Sequence, residues 1–343
     1  MSAFTPYLAR AVSGAPLTGD DMGAAMGAIL SGEASDIEIA GFLTALRARG
    51  ETPEEIAAAA IAMRDKALRV SAPPDAVDTC GTGGDGAGTY NVSTAAALIL
   101  AGCGVPVAKH GNKAASSRSG SSEVLAALGV NLDMTPNRIA LCIEEAGVGY
   151  MHAALHHQAV GHAAAARKAL GVRTMFNLLG PLSNPAGARR QVMGVFARDL
   201  LRPIAEVMPR LGVISAWVVH GADGLDELTL TGPTHVASLR DGGVSEFETT
   251  PEDAGLKRCS PEDLVGGDPQ HNAAALKRLL DGERGPYRDI AVLNAAAGLI
   301  VAGRADALEP AARRAEAAID DGAALRALER LVTISNATPG DSR

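Results

Sequence analysis

Apolar positions recur at a helical interval through the first part of the chain, then give way to short β-branched runs between alanine-rich stretches. Ile39, Phe42, Leu43 and Leu46 stand at i, i+3, i+4 and i+7, the spacing of one buried helix face. Ser35 and Glu38 form a capping-box pattern at its start, each side chain able to take an N–H that the first turn leaves unpaired, and Gly50 ends it. Thr52, Pro53 and Glu55 repeat that signal and predict a second helix to about Leu68. Residues 1–72 thus read as a small all-helical domain.

From Pro73 and Pro74 onward the period changes. Short strands are predicted at Val77–Cys80, Val105–Ala108, Gly147–Met151, Val192–Phe196 and Ile214–Val219. Helices are predicted between and after them, at Thr94–Ala101, Ser122–Leu128, Asn137–Glu145, Leu200–Leu211, Asn272–Leu280 and Arg288–Ala302. Such alternation builds a central, mostly parallel sheet flanked by helices, so residues 73–343 read as a larger α/β domain. The polar end from Thr338 to Arg343 is expected to fray.

Composition narrows the partners. A chain of 343 residues, 47% hydrophobic and 20% charged, can bury a sizeable core. Its formal charge of −8 gives no electrostatic footprint for nucleic acid or an anionic membrane, so any anion must be held locally. Cys80, Cys103, Cys142 and Cys259 are widely spread and form no CxxC pair, which reads as thiols in a reducing compartment. Met1 to Arg10 lacks a basic region followed by an apolar run, and the apolar stretch Val92 to Ala108 is interrupted by Ser93, Thr94 and two glycines. A cytoplasmic protein without a membrane span is expected.

Three segments carry candidate chemistry. The first is Asp78-Thr79-Cys80-Gly81-Thr82-Gly83-Gly84-Asp85-Gly86, followed by Asn91-Val92-Ser93-Thr94. Its glycines let the backbone turn sharply and aim successive N–H groups at phosphate oxygens where a helix begins. Gly81, Gly83 and Gly86 also satisfy a dinucleotide GxGxxG pattern, but that site requires an acidic residue further on for the ribose, and the next predicted strand ends in Lys109. The second segment, from Lys109-His110-Gly111-Asn112-Lys113 through Arg118 to Glu123, supplies cations, hydroxyls and glycines in a loop that opens a helix, a combination suited to a highly charged phosphate ester. The third, Val219 to Glu227, places Asp226 and Glu227 on a loop after a strand, where adjacent carboxylates suit magnesium. Against each stands a plainer reading: a glycine loop with no ligand, a solvated serine-rich linker, or solvated acidic residues.

Together with Arg167-Lys168-Ala169-Leu170-Gly171-Val172-Arg173-Thr174-Met175-Phe176-Asn177 and Leu178-Leu179-Gly180-Pro181-Leu182-Ser183-Asn184-Pro185, these segments resemble the anthranilate phosphoribosyltransferase family over nearly the whole chain. The resemblance implies a helical domain, 1–72 joined by helices from about 163–188, packed on the α/β domain, and a homodimer formed through the helical parts. It implies that phosphoribosyl pyrophosphate is held by Gly81, Gly83, Gly84, Asp85, Thr89, Asn91, Ser93, Thr94, Lys109, Asn112, Ser121 and Ser122. His110, Asn112, His157, Arg167, Gly180 and Pro181 would line the path of anthranilate, and Ser93, Asp226 and Glu227 would hold magnesium as the cofactor. Displacing pyrophosphate from a ribose carbon requires positioned partners and neutralised phosphates but no covalent nucleophile.

One region departs from the family's pattern. Where the family reads phenylalanine-leucine-phenylalanine-alanine-proline, two variable residues, then histidine-proline-alanine-methionine, this chain runs from Tyr150-Met151-His152-Ala153-Ala154 to His157-Gln158-Ala159-Val160, without either proline. A freer backbone loses more entropy on ordering, so weaker or altered acceptor binding is expected. His152 and His156 stand four apart, a spacing used by zinc sites on helices, but a helix through Gly149 is disfavoured and no cysteine or carboxylate completes a shell. Two other functions fit the same plan: a pyrimidine nucleoside phosphorylase using inorganic phosphate, and a non-catalytic protein that binds the donor.

Overall fold

The computed structural model describes residues 2–112 and 118–337. Residues 113–117 of the second segment, and the end from 338 to 343 expected to fray, lie outside the described residues.

The chain opens with α1 (Thr5–Val12), α2 (Gly19–Leu30), α3 (Asp36–Arg49) and α4 (Pro53–Lys66). Ile39, Phe42, Leu43 and Leu46 are all buried on α3, as their spacing predicts. Both capping boxes form: Ser35 N–H donates to Glu38 Oε2 and Thr52 N–H to Glu55 Oε2, each at 2.9 Å. Glu55 does more than cap. Burial opposes its ionisation, yet Arg49 at 2.6 Å, Thr52 N–H and Leu17 N–H at 2.8 Å outweigh burial and hold the carboxyl below its ordinary range. One carboxylate thereby fastens the end of α3, the start of α4 and the link between α1 and α2.

The strands are β1 (Val77–Asp78), β2 (Val107–Gly111), β3 (Val148–His152), β4 (Arg190–Gly194), β5 (Ser215–Gly221), β6 (Thr234–Arg240) and β7 (Gly243–Thr249). They form one sheet in the order β3-β2-β1-β4-β5-β6-β7. The strands from β3 to β5 in that order are parallel, as the alternating pattern predicts, whereas β6 and β7 add an antiparallel hairpin that it does not. Asp241 and Gly242 make the hairpin turn, both left-handed with φ of 52° and 77°. Asp-Gly is favoured there because a turn of that hand matches the twist of the flanking strands. A second difference concerns Lys109, which sits in the middle of β2 and not beyond its end.

Eleven further α-helices follow among the described residues. They are α5 (Val92–Gly102), α6 (Ser121–Ala127), α7 (Pro136–Leu141), α8 (Ala153–His156), α9 (Ala164–Leu170), α10 (Phe176–Leu182), α11 (Leu201–Val207), α12 (Pro269–Leu280), α13 (Pro286–Val301), α14 (Leu308–Asp320) and α15 (Ala323–Asn336). The predicted helix 137–145 is split: α7 runs into a π-helical turn, Cys142–Ala146, closed by left-handed Gly147. Two apolar cores cover the sheet. One gathers α5, α13, α14 and α15; the other joins α1–α4 to α9, α10, α11 and the opposite side of β4 and β5. Parallel strands point their carboxyl ends to one edge, and the loops leaving that edge meet between the two cores.

Candidate active site

The loops after β1, β2 and β5 converge around a cavity of about 300 Å³. Close backbone approach makes this possible. A Cβ on Gly194, at the end of β4, would stand 1.5 Å from Asp226 O, and one on Gly81 would stand 2.9 Å from Asp226 Oδ2. With that room left free, Asp226 Oδ2 accepts the Gly83 N–H at 2.6 Å and Thr82 N–H donates to Gly194 O at 2.9 Å. Arg173 donates to Gly84 O from the link between α9 and α10, its guanidinium 4.3 Å over the Phe196 ring.

Lys109 forms the floor. Its Nζ lies 3.2 Å from Ser93 Oγ and 3.3 Å from both Thr79 O and Thr79 Oγ1. Beneath it the Asp78 carboxyl is pushed up to about 6 by burial, a shift opposed by the Lys109 charge, the Asn184 amide at 2.7 Å and the His110 N–H at 3.1 Å. Asn184 also donates to Ala108 O at 2.9 Å, so the end of β1 is tied to the start of β2 from α10's trailing loop.

The Asp226 and Glu227 carboxyls are both raised. For Asp226 burial leads, then the charges of Glu227 and Asp85; for Glu227 burial leads and Lys109 opposes it, with Asp85 raising it further. Carboxylates that resist ionising side by side gain from a nearby dication. The donor set fits magnesium, being all hard oxygen: two carboxylates and the Ser93 hydroxyl, which bonds to Glu227. Among the described residues no group of three or more His, Cys, Asp or Glu is placed to hold a metal ion by itself; magnesium commonly takes one or two carboxylates and completes its shell with substrate phosphates and water.

Elsewhere the lining carries little charge apart from Arg167. The His110 and His157 rings meet edge to face at 5.2 Å, and His110 Nδ1 lies 3.0 Å from Gly180 O. Burial holds both imidazoles below the ordinary 6.5, with a neighbouring histidine adding to the effect; His157 falls to about 4. His152 and His156 find separate partners: His152 stacks on Tyr150 at 6.5 Å, and His156 Nδ1 lies 2.6 Å from Leu68 O. Arg167 also lines this wall, its guanidinium 5.0 Å over the Phe176 ring.

Of the residues expected to hold the donor, Gly81, Gly83, Gly84, Asp85, Thr89, Asn91, Ser93, Lys109, Asn112 and Ser121 line the cavity, as do Asp226 and Glu227. So do His110, Arg167, Gly180 and Pro181 from the acceptor set. Three further expected residues lie just outside that lining. Thr94 and Ser122 are buried within α5 and α6, and His157 stands behind His110, so these residues back the walls without lining the cavity. Of the expected cations in the second segment, Lys109 is buried, Arg118 is exposed and Lys113 lies outside the described residues. Tyr90, Ser119, Gly120, Phe176 and Asn177 line the cavity without having been singled out for it. Phe176-Asn177 falls inside the quoted segment from Arg167, whereas Tyr90 is placed by stacking on Tyr287 of α13 at 4.3 Å, which no local pattern announces.

Residues 73–325 match the model of the glycosyl transferase family a/b domain, and residues 5–67 that of the family's helical bundle domain. An anthranilate phosphoribosyltransferase from Rhodospirillum rubrum is 59% identical over 96% of this chain and 95% of its own length. The chain belongs to the anthranilate phosphoribosyltransferase family. As a member it is a pentosyl-transferring enzyme. The structure of the family's enzyme from Thermus thermophilus superposes with a TM-score of 0.91 at 47% identity, covering 96% of this chain and 99% of that one. The enzyme from Saccharomyces cerevisiae, in complex with PRPP and Mg, superposes with a TM-score of 0.89 at 28% identity, covering 97% of each chain.

Proposed function

We propose that this chain transfers the phosphoribosyl group of phosphoribosyl pyrophosphate to the amine of anthranilate, releasing pyrophosphate, as the second step of tryptophan biosynthesis from chorismate. The observation that carries the reading is that one cavity is lined both by the glycine loop with Lys109, Asp226 and Glu227 and by His110, Arg167, Gly180 and Pro181. The yeast family member's complexes with PRPP and Mg, and with 4-fluoroanthranilate, support it.

In this reading the glycine loop, Asn91 and Ser121 receive the donor's phosphates through backbone and side-chain donors, and Lys109 counters their charge. Asp226, Glu227 and Ser93 would hold magnesium, which when bound neutralises charge on the leaving pyrophosphate. Arg167 pairs with the anthranilate carboxylate, and the neutral imidazoles of His110 and, behind it, His157 keep that wall free of competing charge. The amine lone pair forms the new bond to the ribose carbon as the bond to pyrophosphate oxygen breaks, and the nitrogen then gives up a proton. An aromatic amine is neutral at pH 7, so orientation and charge neutralisation carry the reaction.

The reading includes residues 1–72 with 163–188 as the helical domain, a cytoplasmic setting, and a homodimer joined through the helical parts. Support for the last comes from Val12 and Ile37, which are 68% and 85% exposed there. Among the described residues no helix is long and apolar enough to cross a membrane. The test mixes protein, phosphoribosyl pyrophosphate, magnesium and anthranilate, following anthranilate fluorescence and pyrophosphate together. Coupled loss and release are expected; phosphorolysis of thymidine or uridine in place of that reaction would overturn the proposal.

A further inference from the structure

Two edges of the cavity, the exit of the glycine loop at Asn91 and the approach to α6 at Ser119, are joined by a side-chain bond: Asn91 Nδ2 donates to Ser119 O at 3.2 Å. The other end of the Asn91 amide is held from outside the cavity. Asn272, in the first turn of α12 and 1% exposed, donates through Nδ2 to Asn91 Oδ1 at 2.9 Å. The polarity of this chain of amides is fixed. Asn272 Oδ1 accepts the Gly267 N–H at 2.7 Å, and because a backbone N–H can only donate, that bond sets which end of Asn272 faces Asn91, and hence which end of Asn91 faces Ser119.

The surrounding backbone is shaped around this arrangement. A Cβ on Gly266 would lie 2.9 Å from both Asn272 Oδ1 and Thr89 O, and Gly266 N–H donates to Gly88 O at 2.9 Å. The segment leading to α12 therefore lies against the exit of the glycine loop, yet Asn272 itself does not line the cavity.

We propose that Asn272 is a positioning residue for the transfer reaction: through a chain of amides of fixed polarity it orients Asn91, which keeps the two phosphate-facing loops at the spacing the donor's pyrophosphate requires. The inference rests on the reading of this cavity as the donor site. Asn272→Asp preserves the size of the side chain but replaces the amide donor with an acceptor. Asn91 must then turn its own amide over to bond to it, which sets Asn91 Oδ1 against Ser119 O, two acceptors that repel.

The test titrates phosphoribosyl pyrophosphate with magnesium into the full chain by calorimetry and measures steady-state turnover with anthranilate. The proteins are the wild type, N272D, N91A and the double variant, each with its thermal unfolding midpoint. In N272D the donor Kd is expected to rise about tenfold, while kcat at saturating donor and the KM for anthranilate stay within about twofold. In the N91A background the same change should add nothing, because its effect travels through Asn91. N272A serves as a second variant with the same expected pattern if N272D does not fold. Additive losses in the double variant, equal weakening toward both substrates, or failure of both N272D and N272A to fold would overturn the assignment. Wild-type protein that binds no phosphoribosyl pyrophosphate would overturn the donor-site reading and this inference with it, whereas donor binding by the wild type with additive variants would overturn the inference alone.

Discussion

The two walls of the cavity solve opposite electrostatic problems. On one, Lys109, Asp78, Asp85, Asp226 and Glu227 crowd together, and the cost of that crowding is met by hydrogen bonds from Gly83, Asn184, His110 and Ser93. On the other, burial keeps His110 and His157 neutral, and His110 Nε2 and His157 Nε2 have no hydrogen-bond partner among the described residues. The first wall is organised around groups that bind charge; the second excludes charge except at Arg167. In the proposed function, this contrast is what lets one cavity take a polyphosphate and an aromatic ring without each drawing the other into its place.

Removing the charge asymmetry should have the largest effect. In D226N/E227Q, kcat/KM is expected to fall about 1000-fold and the dependence on magnesium to flatten. Its thermal stability in metal-free buffer should hold or rise, since two carboxylates that resist ionisation are gone. Calorimetric melting beside a magnesium titration of activity checks both. G194A attacks the same wall through geometry. Its new Cβ must push the Asp226 backbone away from 1.5 Å, and displacing the cluster by about an ångström should cost about 100-fold in turnover.

The facing wall should respond differently. R167A is expected to raise the KM for anthranilate about 30-fold and leave the KM for the donor unchanged, the loss of one charged hydrogen bond. Equal rises in both constants would mean that the walls are not separate. The smallest effect is one of pH. His157 is held near 4 and His110 below 6.5, so the unfolded chain takes up protons that the folded chain refuses. These groups cost no stability above 6.5; below it the folded state loses stability as pH drops, for His157 by about 1 kcal/mol per pH unit down to about 4. Urea midpoints across that range measure the slope, and H157N should flatten it.

The charged wall was legible in the sequence from residue types and spacing, the other only through the family resemblance. Gly81, Gly83, Asp85, Lys109, Asp226 and Glu227 stand out because phosphate and magnesium demand particular residue types at loop positions after strands. The capping boxes at Ser35 and Thr52 were readable for the same kind of reason, being local backbone requirements met by neighbouring side chains. The β6–β7 hairpin also carried a local signal, Asp241-Gly242, which the strand–helix alternation overshadowed. Other features have no local signature. The Asn184 clamp on Asp78, the stack of Tyr90 on Tyr287 and the edge-to-face pair of His110 and His157 arise only when distant segments pack. The burial of Thr94 and Ser122 likewise depends on how α5 and α6 pack, which the motifs alone do not give.

The most direct test of the account is a calorimetric titration of phosphoribosyl pyrophosphate into wild type and D226N/E227Q, each with and without magnesium and with no anthranilate present. The account predicts tight binding to the wild type that weakens sharply when magnesium is withheld, and weak, magnesium-insensitive binding to the variant. Donor affinity that is the same in both proteins and indifferent to magnesium would contradict the assignment of Asp226 and Glu227 to the charged wall's function.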